Sequence, residues 1–163
     1  GHERVALVDR GEDPFDQSIL TSRQQGYRDA LSNAGIDHRP QYEQPADWSA
    51  EGGAAALDGL LGLSDPPSAI VAGSDTQAIG ILDRARQRGL VVPGDLAVCG
   101  YGDIELARYL GLTTVRVPLR MIGERAVSML LEAIEGPRNQ SEHVLLPVEV
   151  VVRTTCGAPG GHP

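Results

Sequence analysis

The chain has 163 residues, with 14 basic against 22 acidic side chains and a net charge of −8; that length suits one compact domain, and the charge has the wrong sign for gripping a phosphate backbone. Apolar residues make up 41% of it, but no apolar run approaches the roughly 18 residues that cross a bilayer, which leaves a membrane role without support. Cys99 and Cys156 lie far apart and form no C-x-x-C, a pattern that suggests neither a zinc site nor a disulfide framework and leaves a single disulfide open.

In chain order, Gly1-His2-Glu3-Arg4 passes directly into the apolar run Val5-Ala6-Leu7-Val8, which reads as a strand. No Met, signal peptide or leading helix comes first, so the chain is expected to be part of something longer. Residues 19–34 place Leu20, Tyr27, Leu31 and Ala34 on one helical face and stop at Gly35. A weak strand is expected near residues 41–43. Asp47 or Ser49 then caps a helix over residues 50–63, which ends before Ser64-Asp65-Pro66-Pro67. After a strand at 69–72, Ser74 or Asp75 caps a third helix that turns Ile79, Leu82 and Ala85 inward and closes at Gly89. Strands follow at 96–99 and 113–117, with a short helix near 105–110 between them. A helix over 118–134 opens on Pro118 and ends at Gly136. Residues 143–153 read as a last strand interrupted by Pro147, hence an edge or a bulge. The tail 157–163 carries no core residues. Apolar strands that alternate with helices point to parallel βαβ units and an α/β sheet.

Enzymatic chemistry lacks its residues. Gly73-Ser74-Asp75 misses the second glycine of a nucleophile elbow and reads as a helix cap. His2, His38, His143 and His162 show no metal-ligand spacing. Gly100-Tyr101-Gly102 has Glu105 where the third glycine of a dinucleotide fingerprint would stand. Ligands of a parallel sheet sit beyond the carboxyl ends of its strands, here the loops at 9–18, 44–49, 73–75, 101–103 and 117–118. Within them Trp48, the single tryptophan, offers an indole face for a sugar or base. Arg23, on the first turns of its helix, offers a fork for hydroxyl, carboxylate or phosphate oxygens. A core plug for Trp48 and a solvated helical role for Arg23 remain the alternatives.

Together these segments resemble the effector-binding part of the LacI/GalR family of bacterial transcription regulators, which is similar to periplasmic sugar-binding proteins. The opening Gly-His-Glu-Arg-Val-Ala-Leu-Val looks like the family's G-H-x-R-I-A-L-I strand, and Arg23-Gln24-Gln25-Gly26-Tyr27-Arg28-Asp29-Ala30-Leu31 like its R-x-x-G-[FYW]-x-x-A-L helix. Asp47-Trp48-Ser49-Ala50 is similar to its strand-to-helix loop and Asp75-Thr76-Gln77-Ala78-Ile79-Gly80 to its N-D-x-x-A-x-G. Val92-Pro93-Gly94-Asp95-Leu96-Ala97-Val98, Leu112-Thr113-Thr114-Val115 and the closing Leu145-Leu146-Pro147-Val148-Glu149 complete the pattern in order.

The resemblance implies a doubly wound parallel sheet of the periplasmic-binding-protein type I class, mainly its C-terminal lobe. Residues 1–117 would form that lobe, 118–136 a crossover helix that packs on a first lobe, 137–156 the closing strand and 157–163 a flexible tail. It implies an effector-sensing part of a cytoplasmic, homodimeric regulator, most simply a repressor, which reaches operator DNA through a separate N-terminal head. Neither a cofactor nor a metal is implied. Arg23 matches the effector-binding arginine and Trp48 a stacking aromatic. Ser74 stands where relatives carry Asn, Gly102 where they carry Asp, and Val117 where they carry a polar residue; Asp75 and Asp103 lie beside these in the same loops. Each lost polar contact costs about 1–3 kcal/mol, which argues against a simple hexose. A larger, less polar or anionic effector held by Arg23 stays open, as does a sensor that has lost its ligand. Without a first lobe, Met121, Ile122, Met129, Leu130 and Ala133 are expected to meet another copy or to fold onto this lobe. A periplasmic sugar-binding protein of a transporter is the alternative within the fold, and an enzyme the alternative outside it.

Overall fold

The computed structural model describes residues 1–10, 17–135 and 143–158. They build a six-stranded sheet in the order β2-β1-β3-β4-β5-β6. Its strands are β1 (Val5–Asp9), β2 (Glu43–Pro45), β3 (Ala69–Ala72), β4 (Ala97–Gly102), β5 (Thr113–Arg116) and β6 (Glu149–Val151). The first five run parallel, and β6 pairs antiparallel with β5, Arg116 facing Glu149. The helices are α1 (Gln17–Asn33), α2 (Ala50–Leu61), α3 (Asp75–Gln87), the short α4 (Glu105–Tyr109) and α5 (Leu119–Glu135). The parallel βαβ sheet expected from the alternation of strands and helices is present, and it is doubly wound, with helices on both faces, as the family resemblance implies.

Period-2 alternation along β1 sorts the core into two layers. Ala6 and Val8 point into the main cluster with Leu57, Leu60, Ile70, Ile81, Val98 and Leu112, on the side of α2 and α3. Leu7 points to the opposite face, where Tyr27 and Leu31 of α1 cover it. The Tyr27 hydroxyl donates to Val5 O at 2.8 Å, and burial, followed by Glu43, pushes its pKa up to about 12. Helices α2 and α3 lie against each other because neither carries a side chain at the crossing. A Cβ on Gly53 would overlap the carbonyl of Gln77, and one on Gly80 the carbonyl of Ala50. Ser49 caps α2 by accepting from Gly52 N at 2.9 Å, and Ser74 caps α3 by accepting from Gln77 N at 3.1 Å.

Local departures from the expected pattern have visible causes. Pro40 opens a single 3₁₀ turn that buries Tyr42, whose hydroxyl donates to Asp65 O at 2.6 Å, so the second strand begins at Glu43 instead of covering 41–43. The apolar side chains of α3 turned fully inward are Ala78, Ile81 and Ala85, while Ile79 and Leu82 are half-buried; the Gly80–Ala50 approach sets that roll. Ala34 lies beyond the end of α1 and is exposed. The last strand is only three residues long and occupies the sheet edge, with Pro147 in the irregular segment before it. The Leu20 side chain, Gly136, His162 and the end of the tail lie outside the described residues.

The chain end is stitched back to the sheet. Arg153 N donates to Thr113 Oγ1 at 2.8 Å, Thr113 N to Thr155 Oγ1 at 2.9 Å, and Thr155 Oγ1 to Val98 O at 2.8 Å. Helix α5, by contrast, has no buried residue; Met121, Ile122, Leu130, Leu131 and Ile134 are all exposed. Both cysteines are free, and burial, then the neighbouring Cys156, pushes the Cys99 thiol up to about 11. No described helix is long and apolar enough to cross a membrane.

Candidate functional site

Strand order reverses between β1 and β3, and a ligand crevice opens beyond the carboxyl ends of strands at such a switch point. Asp9 ends β1 and Gly73 follows β3, so these two residues form the floor of that crevice. Arg23 reaches from the second turn of α1 and joins them. Its Nη1 donates to Gly73 O at 2.8 Å and lies 3.3 Å from both carboxylate oxygens of Asp9. Among the described residues its hydrogen bonds all use that one nitrogen. Among the described residues Nε and Nη2 have no hydrogen-bond partner.

Two aromatic rings bracket the guanidinium. Its Cζ is 5.5 Å from the Trp48 ring centroid and 4.9 Å from that of Tyr101, within cation–π range. Trp48 Nε1 donates to Asp9 Oδ1 at 3.2 Å, while the side chain remains 45% exposed, which anchors the indole edge and leaves ring surface for stacking. The loop that carries Trp48 is fastened from below: the fully buried Gln77 donates to Ala46 O at 3.0 Å and Asp47 O at 3.1 Å. A cavity of about 460 Å³ runs from Arg23 and Tyr101 along the α1 face of the sheet, over Val5, Leu7, Tyr27 and Val71.

Arg23 and Trp48 are therefore brought together, with Ser74 next to them. The Ser74 hydroxyl is occupied as a cap and donates to Gln77 Oε1 at 3.3 Å. Asp75 is buried, and its carboxylate accepts from Thr114 Oγ1 at 2.5 Å and from Ile104 N at 2.8 Å. Gly102 adopts φ +133, a conformation that side-chain-bearing residues rarely take, and Asp103 adopts φ 58. Asp103 faces two arginines, accepting from Arg153 Nη2 and Arg116 Nε at 2.6 Å each. Burial raises its pKa, but the hydrogen bonds from Arg153 and Arg116 together outweigh burial and hold the carboxyl below its usual range. Val117 lines a second groove of about 490 Å³ between α5 and residues 143–148, which touches the first site only through Tyr101.

Asp9 and Tyr101 belong to the cluster although neither stands out in the sequence. Their signals are small: a carboxylate that ends an apolar run, and a tyrosine at the position of β4 whose alternation turns it toward α1 and away from the main core. Among the described residues no three His, Cys, Asp or Glu side chains gather as a metal site.

Residues 1–156 match the family described as periplasmic binding protein-like domain. The HTH-type transcriptional repressor CytR of Escherichia coli K12 is 35% identical over 160 residues, 97% of this chain and 46% of its own length. The ribose operon repressor of Haemophilus influenzae is 36% identical over 155 residues, 94% of this chain and 46% of its own. Among solved structures, a regulatory protein of the LacI family from Chloroflexus aggregans superposes with a TM-score of 0.86 at 32% identity, over 96% of this chain and 56% of that one. The chain spans about half the length of the curated relatives it matches.

Proposed function

The chain belongs to the periplasmic-binding-protein-like family, in its LacI/GalR branch of transcription regulators, and from that premise we propose that it senses a small, sugar-like effector for a DNA-binding repressor. The observation that carries this reading is the Arg23 guanidinium, held by one nitrogen between Trp48 and Tyr101 at the switch point of the sheet. Its Nε and Nη2 edge, which has no hydrogen-bond partner among the described residues, presents donors to ligand hydroxyls, and Trp48 presents a ring face to the apolar side of a sugar or base. Such a site binds and orients: its donors and ring faces are those of a receptor for a polar small molecule. DNA recognition falls to a separate helix-turn-helix head, since this chain's own net charge of −8 repels phosphate. The regulator works in the cytoplasm as a homodimer. Similarity to two curated repressors supports this over the transporter reading.

The test is thermal-shift screening of the full-length protein against sugars, sugar phosphates and nucleosides, followed by calorimetry. A specific effector raises the melting temperature by mass action. Arg23→Ala and Trp48→Ala are each expected to weaken its binding about tenfold or more. Unchanged affinity in both variants would remove them from the site.

A further inference from the structure

Asp9 supplies the negative charge in the floor of the crevice, and it is built in with some care. It is 3% exposed, and its Oδ1 accepts from Arg10 N at 2.8 Å as well as from Trp48 Nε1 and Arg23. Gly73 makes the room: a Cβ there would overlap Asp9 Oδ1 and stand 3.1 Å from Arg23 Nη1. Three elements of the crevice therefore converge on one buried carboxylate.

We infer that Asp9 sets the charge preference of the effector site, so that the crevice takes an uncharged polyhydroxyl ligand and turns away its phosphorylated or carboxylated counterparts. The inference rests on the effector-site reading given above and specifies its ligand class. An arginine fork alone is a phosphate and carboxylate receptor. Here the fork shares its charge with a carboxylate in contact, and both are anchored, Arg23 to Gly73 O and Asp9 to the backbone of Arg10. A hydroxyl group accepts from the outer edge of Arg23 without requiring a net positive charge. A phosphate brings its negative charge up to Asp9, where the local dielectric is low and repulsion is strong. Arg10, whose guanidinium is 5.7 Å from the Trp48 ring centroid, is the other cation at the site, but it is exposed and its field is screened by water. Asp9 acts through Arg23, as a positioning residue that also determines specificity.

The experiment uses inorganic phosphate as the probe, titrated by calorimetry into the full-length protein at constant ionic strength. Wild type is expected to show no phosphate binding and no rise in melting temperature beyond that in equimolar chloride. Asp9→Asn, which keeps the shape and removes the charge, is expected to bind phosphate at least about tenfold more tightly than the weakest binding the titration detects, and Arg23→Gln in the same background is expected to abolish that binding. A loss of packing alone produces no such gain. Asp9→Ala carries the same expectation should the asparagine variant fold poorly, and the wild-type arm needs no variant. Phosphate binding by wild type as tight as by the variants, no gain in either variant, or a gain that survives loss of Arg23 overturns the inference. Failure of every neutral sugar and nucleoside to stabilise wild type would count against the effector reading instead, and the phosphate arms are read independently of it.

Discussion

Asp75→Ala separates two roles that its position allows, effector contact and structural tie. In the structure the buried carboxylate holds the Thr114 hydroxyl at 2.5 Å and the Ile104 amide at 2.8 Å, joining α3, β5 and the turn before α4. Removing it leaves two donors without an acceptor, each costing about 1–3 kcal/mol when buried. The Ile104 bond is only part-buried, so its amide recovers part of the loss from water, whereas the Thr114 bond is sealed. The sum is about 3 kcal/mol. For a chain of this length each kcal/mol moves the melting temperature by about 2–4 °C, so calorimetric melting should fall by roughly 6–12 °C. Thr114→Val removes the largest orphan, and the double variant should lose clearly less than the two single losses added. A melting point within about a degree of wild type, or full additivity in the double variant, would refute the assignment and return Asp75 to the ligand.

Gly80→Ala should destabilise despite alanine's better helix propensity, worth about 1 kcal/mol, because its Cβ meets the carbonyl of Ala50; overpacking of about 1–3 kcal/mol or more predicts a lower urea midpoint, and an unchanged midpoint would show that α2 and α3 can part freely. Asp103→Asn keeps a residue tolerant of φ 58 while breaking a near-buried pair with Arg153, at a cost of about 3 kcal/mol. Because the folded pKa of Asp103 is depressed, the pair contributes fully above the ordinary carboxyl value of 3.8 and is lost as pH falls through the folded one; melting curves of wild type and variant should converge in acid and differ at neutral pH. The proposed homodimer is expected to appear as a dimer when the full-length wild-type protein is sedimented, and Leu130→Glu, on the exposed apolar side of α5, to dissociate it; a dimer unaltered by the substitution would place the contact elsewhere.

The sheet was legible in the sequence because short apolar runs such as 5–8 and 69–72 are bounded by glycine, proline and capping residues, and each sends alternate residues into the main core. Roll and register were less legible. The inward face of α3 depends on Gly80 meeting Ala50, a contact 30 positions apart that no local period encodes. Arg23 and Trp48 could be found from their loops and chemistry. Asp9 could not, since its partners are residues 23, 48 and 73, and a carboxylate at the end of a strand ordinarily faces water. Asp75 and Asp103 stand in ligand-facing loops by sequence position, yet their oxygens turn to Thr114, to Arg116 of β5 and to Arg153 just beyond β6.

Strands β5 and β6 are neighbours, with Arg116 opposite Glu149 and joined to it by an ion pair at 2.9 Å. The chain thus leaves the sheet after Arg116, just before α5, and rejoins it at the adjacent Glu149, so the intervening segment starts and ends at neighbouring points. In topological terms it is an insertion in a hairpin. Joining Val117 to Val148 by a two-residue Asn-Gly turn would leave strand order, crevice and C-terminal stitching intact, and would yield a shorter domain in which Arg23, Trp48 and Asp9 can be studied free of the apolar helix.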